Sequence, residues 1–135
     1  MAERVVFDTN VMISGLMWRG KPYHCLLLAR SRITQSVYCN PMLAELTEKL
    51  RGKFKYSENS IHAVVADIRR YAERVEIASE LKIVRADPDD DKFVECAVTG
   101  QASFIVSSDH HLLDLGEYQN IKILSPENFL SRFTE

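Results

Sequence analysis

With 135 residues, 46% of them apolar and 27% charged, the chain has ordinary globular composition and the length to bury a sizeable core, which excludes a disordered class. Its net charge of −2 excludes a global basic field, so any nucleic-acid partner has to be met by a local patch or a bound cation. Three widely spaced cysteines, Cys25, Cys39 and Cys96, match neither a disulfide framework nor a Cys-x-x-Cys zinc pattern and read as reduced, buried thiols. Met1-Ala2-Glu3-Arg4 leads into a strand without a signal peptide, and no apolar stretch nears the roughly 20 residues of a membrane span, so a soluble, cytoplasmic protein with no membrane partner is expected. No linker, repeat or low-complexity tract interrupts the chain, and one domain over residues 1–135 is expected.

Strand-like and helix-like stretches alternate. Arg4 to Asp8 is an apolar run of high β-propensity that breaks at an aspartate. Val11 to Trp18 is helix-compatible; Arg19-Gly20-Lys21 ends it, and Pro22 suits the first turn of a helix reaching about Arg30. Thr34 to Cys39 alternates as a second strand, and Asn40, as cap, with Pro41 opens a helix that carries Leu43, Leu46 and Leu50 and stops near Gly52. Ser57 caps the best-patterned helix, in which Ile61, Val64, Val65, Ile68, Tyr71, Ala72 and Val75 recur at spacings of three and four; it is expected to lie against its own domain. Glu76 to Ala78 and the neighbourhood of Ile83-Val84 are candidate short strands. Asp89 to Thr99 reads as a helix with acids in its first turn, Phe104 to Ser107 as a buried strand, His110 to Leu115 as a short helix and Lys122 to Leu124 as a further strand. Ser125 and Pro126 then begin a last helix. Short apolar strands alternating with helices predict an α/β fold, a short-stranded parallel sheet with helices on both faces.

In such a sheet, chemistry gathers beyond the carboxyl ends of the strands. The pattern delivers Asp8 there, with Thr9 and Asn10 beside it, and Asp109 just after Ser107. A third acidic stretch, Asp87-Pro88-Asp89-Asp90-Asp91, opens a helix. Positions three, four, seven and eight beyond Asp90 are Phe93, Val94, Ala97 and Val98, so Asp90 begins the inward face, whereas Asp91 shares a side with Glu95 and is expected to be more exposed. Glu45 lies nearer the apolar stripe of its helix than Glu48 does. Each acid also has a plainer reading: Asp8 and Asp109 as turn or cap residues, the acidic run as a solvated helix start. Taken together they suggest one carboxylate cluster. Clustered carboxylates repel, and an all-oxygen cluster is relieved by a hard cation, Mg²⁺ or Mn²⁺, of the kind that activates water and stabilises the leaving oxygen of a phosphodiester. The histidines offer no rival arrangement: His24 and His62 are isolated, and the adjacent His110 and His111 do not share a helical face.

These stretches, in order, resemble the PIN-domain family: Phe-Asp-Thr-Asn at 7–10, Pro-x-x-x-Glu-Leu at 41–46, Asp-Asp-Lys-Phe-x-Glu-Cys-Ala at 90–97 and Ile-Val-Ser-Ser-Asp at 105–109. The likeness runs over nearly the whole chain. It implies a three-layer α/β/α domain of a metal-dependent nuclease, most often one cutting single-stranded RNA. It also implies Asp8, Glu45, Asp90 and Asp109 as the catalytic and metal-holding quartet, with Thr9, Asn10 and Ser107 in support. The chain looks most like the PIN proteins of prokaryotic toxin–antitoxin pairs, which implies a small antitoxin partner and a homodimer. Where relatives often carry Asp-Asn or Asp-Ala at the third acidic position, this chain has Asp90-Asp91, leaving open whether Asp91 shares or replaces the role of Asp90.

Lys49, Arg51, Lys53 and Lys55 form a basic run without an intervening acid, placed after Glu45 where it would guide RNA phosphates, or else serve as a solvated helix end. Arg19 and Lys21 border the loop after Asp8 and are candidates to help hold the substrate, and Trp18, Tyr38 and Tyr56 are candidates for stacking on bases, Tyr38 being better placed for the core. Two other classes compete with a nuclease. A phosphatase using Asp8 as nucleophile usually needs a second acid two residues on, where this chain has Asn10. A non-catalytic module that binds RNA or a protein partner would use the helix from Ser57 to Val75, but gains nothing from converging carboxylates.

Overall fold

Val5, Val6 and Phe7 are almost wholly buried, and the strand that holds them, β1 (Glu3–Phe7), has neighbours on both sides. The computed structural model describes residues 2–78 and 88–133. Among these, α1 (Thr9–Met17), α2 (Lys21–Arg30), β2 (Thr34–Tyr38), α3 (Asn40–Gly52), α4 (Glu58–Tyr71) and β3 (Ala72–Arg74) follow β1. A 3₁₀ turn (Pro88–Asp90) then leads into α5 (Asp91–Thr99), β4 (Phe104–Val106), α6 (His110–Leu115), β5 (Glu117–Tyr118), β6 (Ile121–Leu124) and α7 (Pro126–Leu130). The strands form a six-stranded sheet in the order β3-β2-β1-β4-β6-β5, parallel throughout except for the edge pair β5–β6. Helices flank this sheet as the strand–helix alternation predicts: α5 packs on β1, β2 and β4, while α2 packs on α1, β2 and α7. The three cysteines are free and buried.

The order of the strands decides where a site can form. From β1 the chain moves outward to β2 and β3, then returns to the other side of β1 for β4 and β6. The crevice between β1 and β4 is therefore the topological switch point of the sheet. The register sets Phe7 beside Val106, and the Asp8 amide donates to the Val106 carbonyl at 3.0 Å, so the residues following both strands emerge together.

Several sequence expectations are corrected. The helix expected from Ser57 to Val75 ends at Tyr71, because Ala72–Arg74 pairs in parallel with β2 and the Val75 amide donates to the Tyr38 carbonyl at 2.8 Å. The helical spacing of Ala72 and Val75 persists, but an open strand edge satisfies the backbone there instead. As expected, α4 lies on its own protein, against α3 and β3. Asn40 is the first residue of α3 rather than its cap; Cys39 holds the cap position without a side-chain bond. The antiparallel pair β5–β6 was not foreseen: Gln119 and Asn120 turn it with φ of 48° and 70°, the left-handed backbone that a tight hairpin requires. Residues Glu76 to Ala78 form no strand, and the candidate strand near Ile83-Val84, like Asp87, lies outside the described residues.

Candidate active site

Asp8 is the first polar residue after β1, and its carboxylate has two structural partners. One oxygen accepts the Val11 amide at 2.8 Å and caps α1; the other accepts the hydroxyl of Ser107. Ser107, fully buried at the end of β4, also accepts the Asp109 amide on its hydroxyl oxygen at 2.9 Å. Asp109 in turn caps α6 by accepting the His111 amide at 2.9 Å. The cap and cluster readings of Asp8 and Asp109 are thus compatible, since each carboxylate holds a helix start while sitting at the switch point.

Asp8, Thr9, Asn10, Glu45, Asp90 and Asp109 all line one open cleft of about 770 Å³. Lys49, Lys53, Glu48, Asp89 and Lys92 line it as well. Asp8, Thr9 and Asp90 are buried, Asn10 is exposed, and Glu45 and Asp109 are half-buried. Asp91 is buried too, at 8% exposure, and so is Glu95 at 5%, which corrects the expectation that this side of α5 faces solvent. The phase argument fails here because α5 is short and enclosed by the sheet on one side and α3 on another. Asp90 rather than Asp91 lines the cleft.

The electrostatics follow from burial and neighbours. Burial pushes the Asp8 carboxyl above its ordinary range, against the hydrogen bonds of Ser107, Val11 and Ser108, and the nearby charge of Asp109 adds to the rise. Asp109 is held below its ordinary value, chiefly by a hydrogen bond with the carboxyl of Asp90, against some desolvation. Burial alone would raise Glu45, but Lys92, assisted by Thr9 and Lys49, outweighs it and keeps the group below the usual range. The carboxyls of Asp90 and Asp109 meet here, and like charges brought together repel unless a cation offsets them. The four acids share the cleft and offer only oxygen donors, which suits a hard divalent ion, although among the described residues the group of ligand atoms lying within 4.8 Å of one another is that of Asp109, His110 and His111.

The basic run divides. Lys49 from α3 and Lys53 just past its end line the cleft, and Lys49 pairs with Glu45 at 3.3 Å. Arg51 instead grips Glu58 through two hydrogen bonds of 2.9 and 3.0 Å, tying the end of α3 to the start of α4, and Lys55 is exposed in the connection beyond. Lys21 pairs with Glu127 at 3.2 Å and Arg19 sits over the Tyr23 ring, so both are engaged on the α2 side. Trp18 is 60% exposed, whereas Tyr38 is buried in the core and Tyr56 packs against it. Two features escaped the sequence reading. Lys92, which pairs with Glu45 from α5, was signalled only by being the one cation in an acidic run. Asp109, His110 and His111 each bring a ligand atom within 4.8 Å of the others, so adjacency did not keep the two imidazoles apart.

The family model of the PIN domain matches residues 4–111. The chain belongs to the PIN-domain family. Members of this family are generally nucleases and usually use divalent metals. Among solved structures, this PIN domain is similar to one of VapBC2 from Rickettsia felis bound to a DNA fragment from their promoter, with 14% identity over 89% of this chain and 96% of that one and a TM-score of 0.59. It is also similar to the RRP44 PIN domain of T. brucei, with 15% identity over 98% of this chain and 82% of that one and a TM-score of 0.52. At these identities the likeness is one of fold. No curated protein matches the chain. No helix among the described residues is long and apolar enough to cross a membrane.

Proposed function

We propose that this PIN domain, taken as one unit over residues 1–135, is a cytoplasmic endoribonuclease that hydrolyses phosphodiester bonds of single-stranded RNA. Asp8, Glu45, Asp90 and Asp109 would hold Mg²⁺ or Mn²⁺, with Thr9, Asn10, Ser107 and the buried Asp91 in support. The observation that carries this reading is the convergence of Asp8, Glu45, Asp90 and Asp109, from four separate stretches of the chain, on one cleft. When bound, the cation supplies Lewis acidity and charge compensation at the phosphodiester. The chain's own residues orient the acids: Ser107 fixes Asp8 and Asp109 relative to each other, and the Val11 amide fixes the second oxygen of Asp8. Lys49 and Lys53 offer positive charge along the cleft wall for the RNA backbone. The resemblance to toxin-type relatives further supports a toxin of a toxin–antitoxin pair, held by a small antitoxin protein and acting as a homodimer.

The test is hydrolysis of end-labelled single-stranded RNA with Mg²⁺, Mn²⁺ and EDTA in parallel, for the wild type and Asp8→Asn. Cleavage is expected with either metal and lost in EDTA and in the variant. Equal cleavage in EDTA or by the variant would overturn the reading, and tight RNA binding without any cleavage would favour a binding module.

A further inference from the structure

One cation stands among the acids at the start of α5. The Lys92 ammonium pairs with Glu45 Oε1 and donates to the Asp89 carbonyl, and its side chain is only 16% exposed. Lys49, on the same helix as Glu45 and 42% exposed, takes Oε2 at 3.3 Å. Both oxygens of Glu45 therefore have an ammonium partner, and the Lys92 contact joins α5 to α3 across the cleft. A dication that reaches Oε1 must either lie close to a like charge in a partly dry cleft or turn the ammonium out. Lysine is suited to leave: it is a compact charge on a flexible stem, not a planar fork locked to its carboxylate.

Resting on the metal-centre reading above, we propose that Lys92 is the resident counter-ion of Glu45, which a divalent cation displaces as it binds, so that lysine and metal compete for one carboxylate. Lys92 thereby weakens metal binding and makes loading of the site dependent on metal concentration. Calorimetric titration of MnCl₂ into EDTA-stripped, desalted protein tests this. Lys92→Gln is expected to bind Mn²⁺ about two- to fivefold tighter than wild type, within the range for losing a competing ion pair. Lys92→Met, which keeps most of the stem, carries the same expectation should the glutamine variant not fold, while Lys92→Arg, whose planar fork holds the carboxylate more firmly, is expected to bind Mn²⁺ no tighter than wild type. In a Glu45→Gln background the Lys92→Gln gain should vanish, because the competition runs through that carboxylate. Unchanged or weaker Mn²⁺ affinity on neutralising Lys92, or the same gain persisting without Glu45, would overturn the proposal; the latter outcome would mark a general effect of charge. Absence of Mn²⁺ binding by the wild type would instead refute the metal-centre reading on which it stands.

Discussion

Asp8 combines two demands in one side chain. Its carboxylate caps α1 and accepts from Ser107, yet burial opposes its charge. Asp8→Asn retains an acceptor for the Val11 amide and an amide that can donate to the Ser107 hydroxyl, while removing a charge from the cluster. Its melting temperature in EDTA is therefore expected to equal or exceed that of the wild type, although RNA cleavage is lost. Asp8→Ala removes the cap and strands two polar partners, and is expected to lose about 1–2 kcal/mol by urea denaturation. The pH dependence separates the two effects. Unfolded, Asp8 gives up its proton near 3.8; folded, it does so at higher pH, so the native state binds more protons between the two values and stability falls as pH rises through that window. Glu45 and Asp109 act in the opposite sense: their contributions are complete above 4.5 and 3.8 and are lost as pH falls through their lowered folded values. In EDTA, wild-type stability measured from pH 4.5 upward is expected to decline relative to Asp8→Asn, and parallel curves would remove the burial penalty from the account.

At the scale of elements, α3 presents two faces with separate roles. Lys49 and Lys53 lie four residues apart and line the cleft, whereas Arg51 is committed to Glu58. Neutralising Lys49 and Lys53 to Gln is expected to weaken RNA binding and reduce the slope of log affinity against log salt by up to about 1.4, two single-strand phosphate contacts. Arg51→Gln with Lys55→Gln should leave that slope in place; a slope altered by the second pair alone would assign the RNA path to the far side of α3. A second element-level expectation concerns the end of α5, which passes very close to β2. A Cβ on Gly100 would come within 2.5 Å of Val37 Cγ1 and 3.0 Å of the Cys96 carbonyl oxygen. Val37 is a buried, β-branched side chain with little freedom to yield, so Gly100→Ala is expected to destabilise by about 1–3 kcal/mol in urea denaturation. Since α5 follows directly on Asp90, a displaced α5 would also be read in weaker metal binding.

For the molecule as a whole, the cation proposed at the junction of β1, β4, α3 and α5 would bind only the folded chain. At a free concentration one hundred times its dissociation constant it is expected to stabilise by about 2.7 kcal/mol, measured as a rise in melting temperature with Mg²⁺ or Mn²⁺. Asp8→Asn should show a clearly smaller rise. Equal shifts in both proteins would place the stabilising ion elsewhere, and Asp109 with His110 and His111 is then the constellation to test, with imidazole favouring a softer ion such as Zn²⁺.

The sequence by itself determined the features whose causes lie within a few residues. Ser57 and Ser125 cap their helices at 3.1 and 3.2 Å, as their positions ahead of α4 and α7 predict. The apolar runs of β1 and β4 stop at polar residues, so parallel pairing alone is enough to bring Asp8, Ser107 and Asp109 to one edge. What the tertiary structure decided depends on which surfaces meet. The segment after Tyr71 became a strand because β2 had an open edge to pair with, an outcome that helical periodicity cannot register. Asp91 and Glu95 are buried because α5 is enclosed on more than its apolar stripe. The pairing of Lys92 with Glu45, separated by about a third of the chain, exists only because α3 and α5 face each other across the cleft. Local hydrogen bonding and hydrophobic patterning are written in short windows of sequence; charge pairing between distant helices is written in their packing.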